Sequence, residues 1–254
     1  MDKPKTPAFM KKTAAGGAGF IPFAFPGLPH VGCAFGTALA GALRNAGGSD
    51  DGTEENRRKA LRHLGLERWV ELKQTHGDRI VADPLPTDPG VLPLIEADGS
   101  CTGEKGLGLL VKTADCQPLL LTDAKGSAVA ALHVGWRGNI LNVPAKGLAL
   151  FCERYGLAPS EVMAVRGPSL GPGAAEFVNF EREWPEAFRP WFNPETRRMD
   201  LWSLTRYQLL TAGMPPGAVF SLDLCTSSLP ETFFSHRRGH SGRQGALIWL
   251  KGDE

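Results

Sequence analysis

Residues 107–134, LGLLVKTADCQPLLLTDAKGSAVAALHV, hold three apolar runs at 107–112, 118–122 and 128–134, parted by TADCQ and DAKGS. Each run is too short for an ordinary helix and ends at a turn signal, the pattern of strands buried on both faces. Downstream, 162–165 and 245–250 read the same way; upstream, short strands at 69–72 and 79–82 flank KQTHGD. Between these lie helical stretches. SDDGTEENRRKALRHLGL, residues 49–66, predicts a helix with Thr53 as N-cap, Glu54 and Glu55 in the first turn and Gly65 as the stop. A second helix is expected over 140–155, with Pro144 beginning or kinking it. Asp200 caps a third, LWSLTRYQLLTA, which Gly213 closes. With no internal repeat and no long linker, the pattern is that of one α+β domain. It is expected over residues 20–254, after a flexible N-terminal leader of residues 1–19 that ends in TAAGGAG.

A chain of 254 residues buries roughly 75% of its unfolded surface, enough for a sizeable core. Its net charge of +1 gives no push toward nucleic acid or an anionic membrane. The five cysteines, Cys33, Cys101, Cys116, Cys152 and Cys225, are odd in number, scattered and without a CxxC pair. That is no disulfide framework, and it suits a reducing compartment. No window approaches the ~20 apolar residues of a membrane span, and the N-terminus lacks a signal-peptide core. The expectation is a soluble cytoplasmic protein without a nucleic-acid or membrane partner; its oligomeric state is not legible.

Three segments set a metal-competent side chain beside a turn at a strand end: KQTHGDRIV with His76, KTADCQP with Cys116 and ALHVGWRGN with His133. The spacings, 40 residues (116 minus 76) and 17 residues (133 minus 116), match no local zinc-finger pattern. Two imidazoles and a thiolate nevertheless make a three-ligand site with an open fourth position, the pattern of catalytic zinc. Zinc there would lower the pKa of water to about 7 and polarise a substrate oxygen. Against this, a cysteine between strands is most often a small buried hydrophobe, and each histidine alone fits an ordinary core or surface position. Asp115 and Asp98 are the carboxylates that could orient or assist such a centre. Arg137 in GWRG, and Arg237, Arg238 and Arg243 in SHRRGHSGRQG, have the fork geometry that suits phosphate or carboxylate. A solvated basic loop is the alternative for Arg237 and Arg238.

Taken together and in order, QTHG, TADC, HVGWRG, GPSLGP, DLCTSS and FFSHRRGHSGRQGALIWL resemble the laccase-domain family. Its members were once called multicopper polyphenol oxidoreductases and later recognised as zinc-dependent purine nucleoside enzymes. The similarity runs from about His30 to Leu250. It implies two packed mixed β-sheets with helices outside, in α/β/β/α layers, and a Zn2+ site on His76, Cys116 and His133, with copper the less favoured metal. It also implies phosphorolysis of adenosine, inosine and methylthioadenosine, together with adenosine deamination. The substrates would then be a purine nucleoside and phosphate, with Arg137, Arg237, Arg243 and Gln74 as contacts and Asp115 and Asp98 as catalytic or orienting groups. One departure stands out. The family's serine-threonine-arginine turn is here AFGTALAG, with Gly36 and Ala38 in the serine and arginine places; if that arginine holds phosphate in the family, this chain must use another, Arg44 or Arg137, or phosphorolyse poorly. The family's GPxIGP turn often bears a cysteine, where this chain has Ser169.

Two other chemistries compete. Cys116 with His133 is a nucleophile–base pair suited to a cysteine hydrolase. A copper oxidase needs paired His-x-His ligands for a trinuclear cluster, which this sequence lacks, while a single blue-copper centre would want an axial methionine.

Overall fold

The computed structural model describes residues 19–45 and 52–252. The leader expected at 1–19 lies outside them except for Gly19. In chain order the first half runs β1 (Phe20–Pro22), β2 (Val31–Gly36), β3 (Arg44–Asn45), α1 (Thr53–Leu64), β4 (Arg68–Glu71), β5 (Ile80–Ala82), β6 (Gly99–Thr102), β7 (Leu107–Thr113), β8 (Gln117–Asp123) and β9 (Val129–Val134). The second half runs α2 (Trp136–Ile140), α3 (Val143–Tyr155), β10 (Val162–Arg166), α4 (Phe180–Glu183), β11 (Phe192–Asn193), β12 (Arg198–Met199), α5 (Leu201–Thr211), β13 (Val219–Ser221) and β14 (Gly242–Leu250).

Two mixed sheets result. One has the order β1-β2-β14-β7-β4 with β3 joined to β14; the other is β13-β10-β8-β9-β6-β5. The strand runs alternate as period-2 geometry requires. Leu120 of β8 points between the sheets, where it joins Val70, Leu109, Val165 and Ile248. Leu119 and Leu121 point the other way, toward Phe151 of α3 and Leu209 of α5. Each such fully buried side chain contributes about 1.5–3 kcal/mol relative to exposure. On the far side of the first sheet, Ala60 and Leu61 of α1 cover Trp69, Leu110 and Leu247. The layers are therefore helix, sheet, sheet, helix, a single α+β domain. Helix α3 lies close on β9 because Gly147 has no side chain; a Cβ there would sit 2.3 Å from Leu132 Cδ1.

Two helix expectations are corrected. Thr53 does not cap α1: Gly52, left-handed at φ 74°, does so without a side-chain bond, and the buried Thr53 hydroxyl has no partner among the described residues. The helix expected over 140–155 starts instead at Val143: Asn142 turns left-handed at φ 58° after α2, and Pro144 begins α3 in its first turn, as one of the two expected roles had it, where a missing N–H costs nothing. Asp200 does cap α5, accepting from Ser203 N at 3.0 Å, and Gly213 follows the helix at φ 103°.

Candidate metal centre and cleft

The three ligand candidates lie far apart in sequence but meet at one end of the second sheet. Antiparallel pairing of β8 with β9 sets Pro118 opposite His133 and Gln117 opposite Val134, so Cys116, just before β8, falls beside the end of β9. His76 arrives on the loop from β4 to β5. The donor atoms of His76, Cys116 and His133 lie within 4.8 Å of one another, and Cys116 Sγ is 3.8 Å from His76 Nε2. A tetrahedral zinc with Zn–S and Zn–N bonds of about 2.3 and 2.05 Å would hold its sulfur and nitrogen about 3.6 Å apart. The donor set and its spacing fit such an ion.

Asp98, fully buried, is the hub of this arrangement. Its Oδ1 accepts from His76 N at 3.0 Å and pairs with His133 Nδ1 at 2.7 Å. Its Oδ2 accepts from Thr75 N and Thr75 Oγ1, both at 3.1 Å, and from Gly77 N at 2.7 Å. The left-handed His76, φ 60°, makes this convergence of successive N–H groups possible. In the neutral ring the proton sits on Nδ1 toward Asp98, which leaves the Nε2 lone pair for a metal; without a metal, Nε2 too carries a proton below about pH 9. Burial alone would raise the Asp98 pKa; the bond from His133 and those from the loop amides outweigh it and hold it at about 2. Burial likewise works against the Cys116 thiolate, yet His133 and His76 bring the thiol down to about 6. His133 rises to about 9, burial being overcome by Cys116 and Asp98. Such a thiolate–imidazole cluster is ready either to take a metal or to attack a carbonyl.

Asp115 also sits in a left-handed turn, at φ 91°. Its carboxylate accepts from Thr226 Oγ1 at 2.6 Å, Ser235 Oγ at 2.9 Å and Arg237 N at 2.8 Å. It thus pins the loop after β13 against the turn that carries Cys116. Gln74 spans the gap to β7, donating to Lys112 O at 2.8 Å and accepting from Lys112 N at 2.9 Å.

The cluster opens into a cleft of about 760 Å³, within the usual range of small-molecule sites. Part of its lining is aromatic and apolar, with Trp136 and Phe177 in edge contact beside Leu170 and Leu201, and Glu176 and Glu183 also line it. Arg137 lies over Trp136 at 4.1 Å and Arg237 over Phe177 at 5.3 Å. Another part is cationic, with Arg44 and Arg243 paired across β3 and β14, and Lys112. Lys112 is buried and, with Arg57, shares one oxygen of Glu71; burial, only partly offset by Glu71, lowers its pKa to about 8. Arg238 is occupied elsewhere, its guanidinium bonding to the carbonyls of Thr226, Ser227 and Phe233. Of the residues singled out from sequence, His76, Cys116, His133, Asp115, Gln74, Arg137, Arg237 and Arg243 all line this cleft, and Asp98 stands directly behind it. Trp136, Phe177, Leu170 and Lys112 also line it without a sequence mark of their own, although Trp136 stands beside Arg137 in GWRG.

All five cysteines are free, and among the described residues no helix is long and apolar enough to cross a membrane. Solved structures share the fold. YlmD from Geobacillus stearothermophilus superposes with a TM-score of 0.79 at 27% identity, covering 92% of this chain and 97% of that one. The Neisseria meningitidis protein NMB0706 gives 0.76 at 30% identity, covering 92% and 99%. Among relatives, the Xylella fastidiosa protein named purine nucleoside phosphorylase is 34% identical over 215 residues, 78% of each chain. The Escherichia coli protein named purine nucleoside phosphorylase YfiH is 32% identical over 216 residues, 81% of this chain and 84% of its own. The sequence profile described as multi-copper polyphenol oxidoreductase laccase matches residues 43–251, and the chain belongs to that family.

Proposed function

We propose that this protein is a zinc-dependent purine nucleoside phosphorylase that also deaminates adenosine. One observation carries the reading: a cluster of two imidazole nitrogens and one thiolate sulfur shares a single cleft with aromatic and cationic side chains. Relatives named purine nucleoside phosphorylase support it. A purine would stack on Trp136 and Phe177, and phosphate would be held by the cationic side chains. In phosphorolysis a phosphate oxygen bonds to the ribose C1′ as the C1′–N9 bond breaks. The bonding electrons go to the base, which takes the proton that hydrogen phosphate gives up, leaving free purine and ribose 1-phosphate. In deamination water adds at C6 and ammonia leaves, so adenosine becomes inosine. Zinc on His76, Cys116 and His133 would supply a Lewis acid and activate water near neutral pH. Asp98 keeps the His133 proton on Nδ1, and Asp115 holds the loop that carries Arg237 over the cleft.

Zinc is favoured over copper by the donors around the cluster. Among the described residues no methionine lines the cleft to serve a blue-copper centre. Among the described residues no second metal-competent group exists for a trinuclear one. A reducing, cytoplasmic setting fits the five free thiols. The test is chelation followed by reconstitution: hypoxanthine release from inosine and phosphate should return with zinc and not with copper. Recovery with copper alone, or turnover undiminished by complete metal removal, would overturn the metal assignment.

A second reading rests on one specific arrangement. Cys116, His133 and Asp98 form a thiolate–imidazole–carboxylate series, as a cysteine hydrolase requires. It leaves His76 without a task. If metal-free protein keeps its turnover and iodoacetamide abolishes it, the hydrolase reading wins.

A further inference from the structure

Among the described residues, the cleft contains a pair of arginines to which no carboxylate bonds. Arg44 of β3 and Arg243 of β14 are direct register partners across an antiparallel ladder, so their side chains leave the same face. Like charges so opposed destabilise a sheet unless something lies between them. Among the described residues no carboxylate or carbonyl oxygen bonds to the Arg44 guanidinium. Arg243 is fixed by one nitrogen only: Nη1 donates to the carbonyls of His240, Ser241 and Gly242 at 3.1, 2.9 and 2.8 Å. Behind them Lys112 and Arg57 share Glu71, which bonds to neither Arg44 nor Arg243. The negative groups that Arg243 senses are Cys116 and Asp115. Asp115 is already taken by Thr226, Ser235 and the Arg237 amide, and a metal would claim the thiolate. The remaining arginines at the cleft behave differently, since Arg137 and Arg237 lie on aromatic rings.

We propose that Arg44 and Arg243 form a two-pronged seat for a phosphate-class oxyanion, with Lys112 closing its back. Resting on the phosphorylase reading, this is where inorganic phosphate binds, although the 5′-phosphate of a nucleotide offers the same chemistry.

The test uses full-length, zinc-loaded protein, wild type beside Arg44→Ala and Arg44→Lys, each first checked for an unchanged melting curve. Calorimetric titration with inorganic phosphate alone should show binding by the wild type, at least tenfold weaker binding in Arg44→Ala and partial recovery in Arg44→Lys. Steady-state assays should show the phosphate KM raised by at least tenfold in Arg44→Ala, with the inosine KM within twofold. Arg44-dependent binding of AMP but not of inorganic phosphate would keep the seat and assign it to the nucleotide. Phosphate affinity unchanged in Arg44→Ala would overturn the proposal even if phosphorolysis proceeds. Conversely, Arg44-dependent phosphate binding by a protein that cleaves no nucleoside would leave the seat standing and remove the phosphorylase reading.

Discussion

Replacing Asp98 with asparagine isolates the group on which the candidate metal centre depends. The carboxylate takes five donors, two at Oδ1 and three at Oδ2. An amide has one oxygen, so at best it keeps the three at Oδ2 and turns its amide nitrogen toward His76 N and His133 Nδ1. Two N–H groups cannot face one another at 2.7 Å. His133 relieves the clash by moving its proton to Nε2 and accepting at Nδ1, which removes the lone pair a metal needs. Loss of a partner behind a ligating histidine typically costs about 10–100-fold in metal affinity, and Asp98→Asn should fall at or beyond the upper end. The folded state suffers too. In the metal-free protein Asp98 titrates at about 2, below its ordinary 3.8. Because the folded value is depressed, its stabilisation is complete above about pH 4 and is lost as the pH falls through about 2. The gap is worth about 2 kcal/mol. Competition against a chromophoric chelator measures the first effect, and urea unfolding of metal-free protein from about pH 4 down to about pH 2 the second. A variant that binds zinc within twofold of wild type, or keeps the wild-type acid slope, would refute the reasoning.

Three further outcomes follow from the same geometry. Gly135→Ala would put a Cβ 3.1 Å from both Cys116 Sγ and His76 Cδ2, so zinc affinity should drop about tenfold while the metal-free protein unfolds as before; unchanged affinity would mean the two ligands yield freely. Glu71→Gln strands two buried cations, Lys112 and Arg57, and should cost about 3–5 kcal/mol in urea unfolding, with a loss below about 1 kcal/mol counting against it. Trp136→Ala should raise the nucleoside KM and leave the phosphate KM alone, whereas equal changes in both would deny the aromatic side chains their role.

Much of the fold was legible because its central strands are buried on both faces, and their apolar runs stand out from the turns between them. Strand β2, VGCAFG, carried no such mark. Gly32 within it is small because a neighbour presses on it: a Cβ there would sit 2.0 Å from the Trp249 ring. Strand β6, GSCT, is short and polar yet fully buried, and only its pairing with β9 reveals why. The ligand candidates were readable as side chains at strand ends, but their meeting depends on the β8–β9 register, which no local spacing encodes. Asp98 could be named from sequence only as a carboxylate near the site; its five donors come from a loop and a strand that the chain brings together late. Arg44 was readable merely as an alternative to the missing arginine at position 38, since its partner Arg243 lies 199 residues away (243 minus 44).

The most direct test of the central claim is product analysis of adenosine incubated with metal-quantified protein, with and without phosphate, beside Cys116→Ala. The account predicts phosphate-dependent adenine release and inosine formation by the wild type, both lost in the variant together with its zinc. No product from a protein carrying one equivalent of zinc, or undiminished turnover by Cys116→Ala, would contradict it.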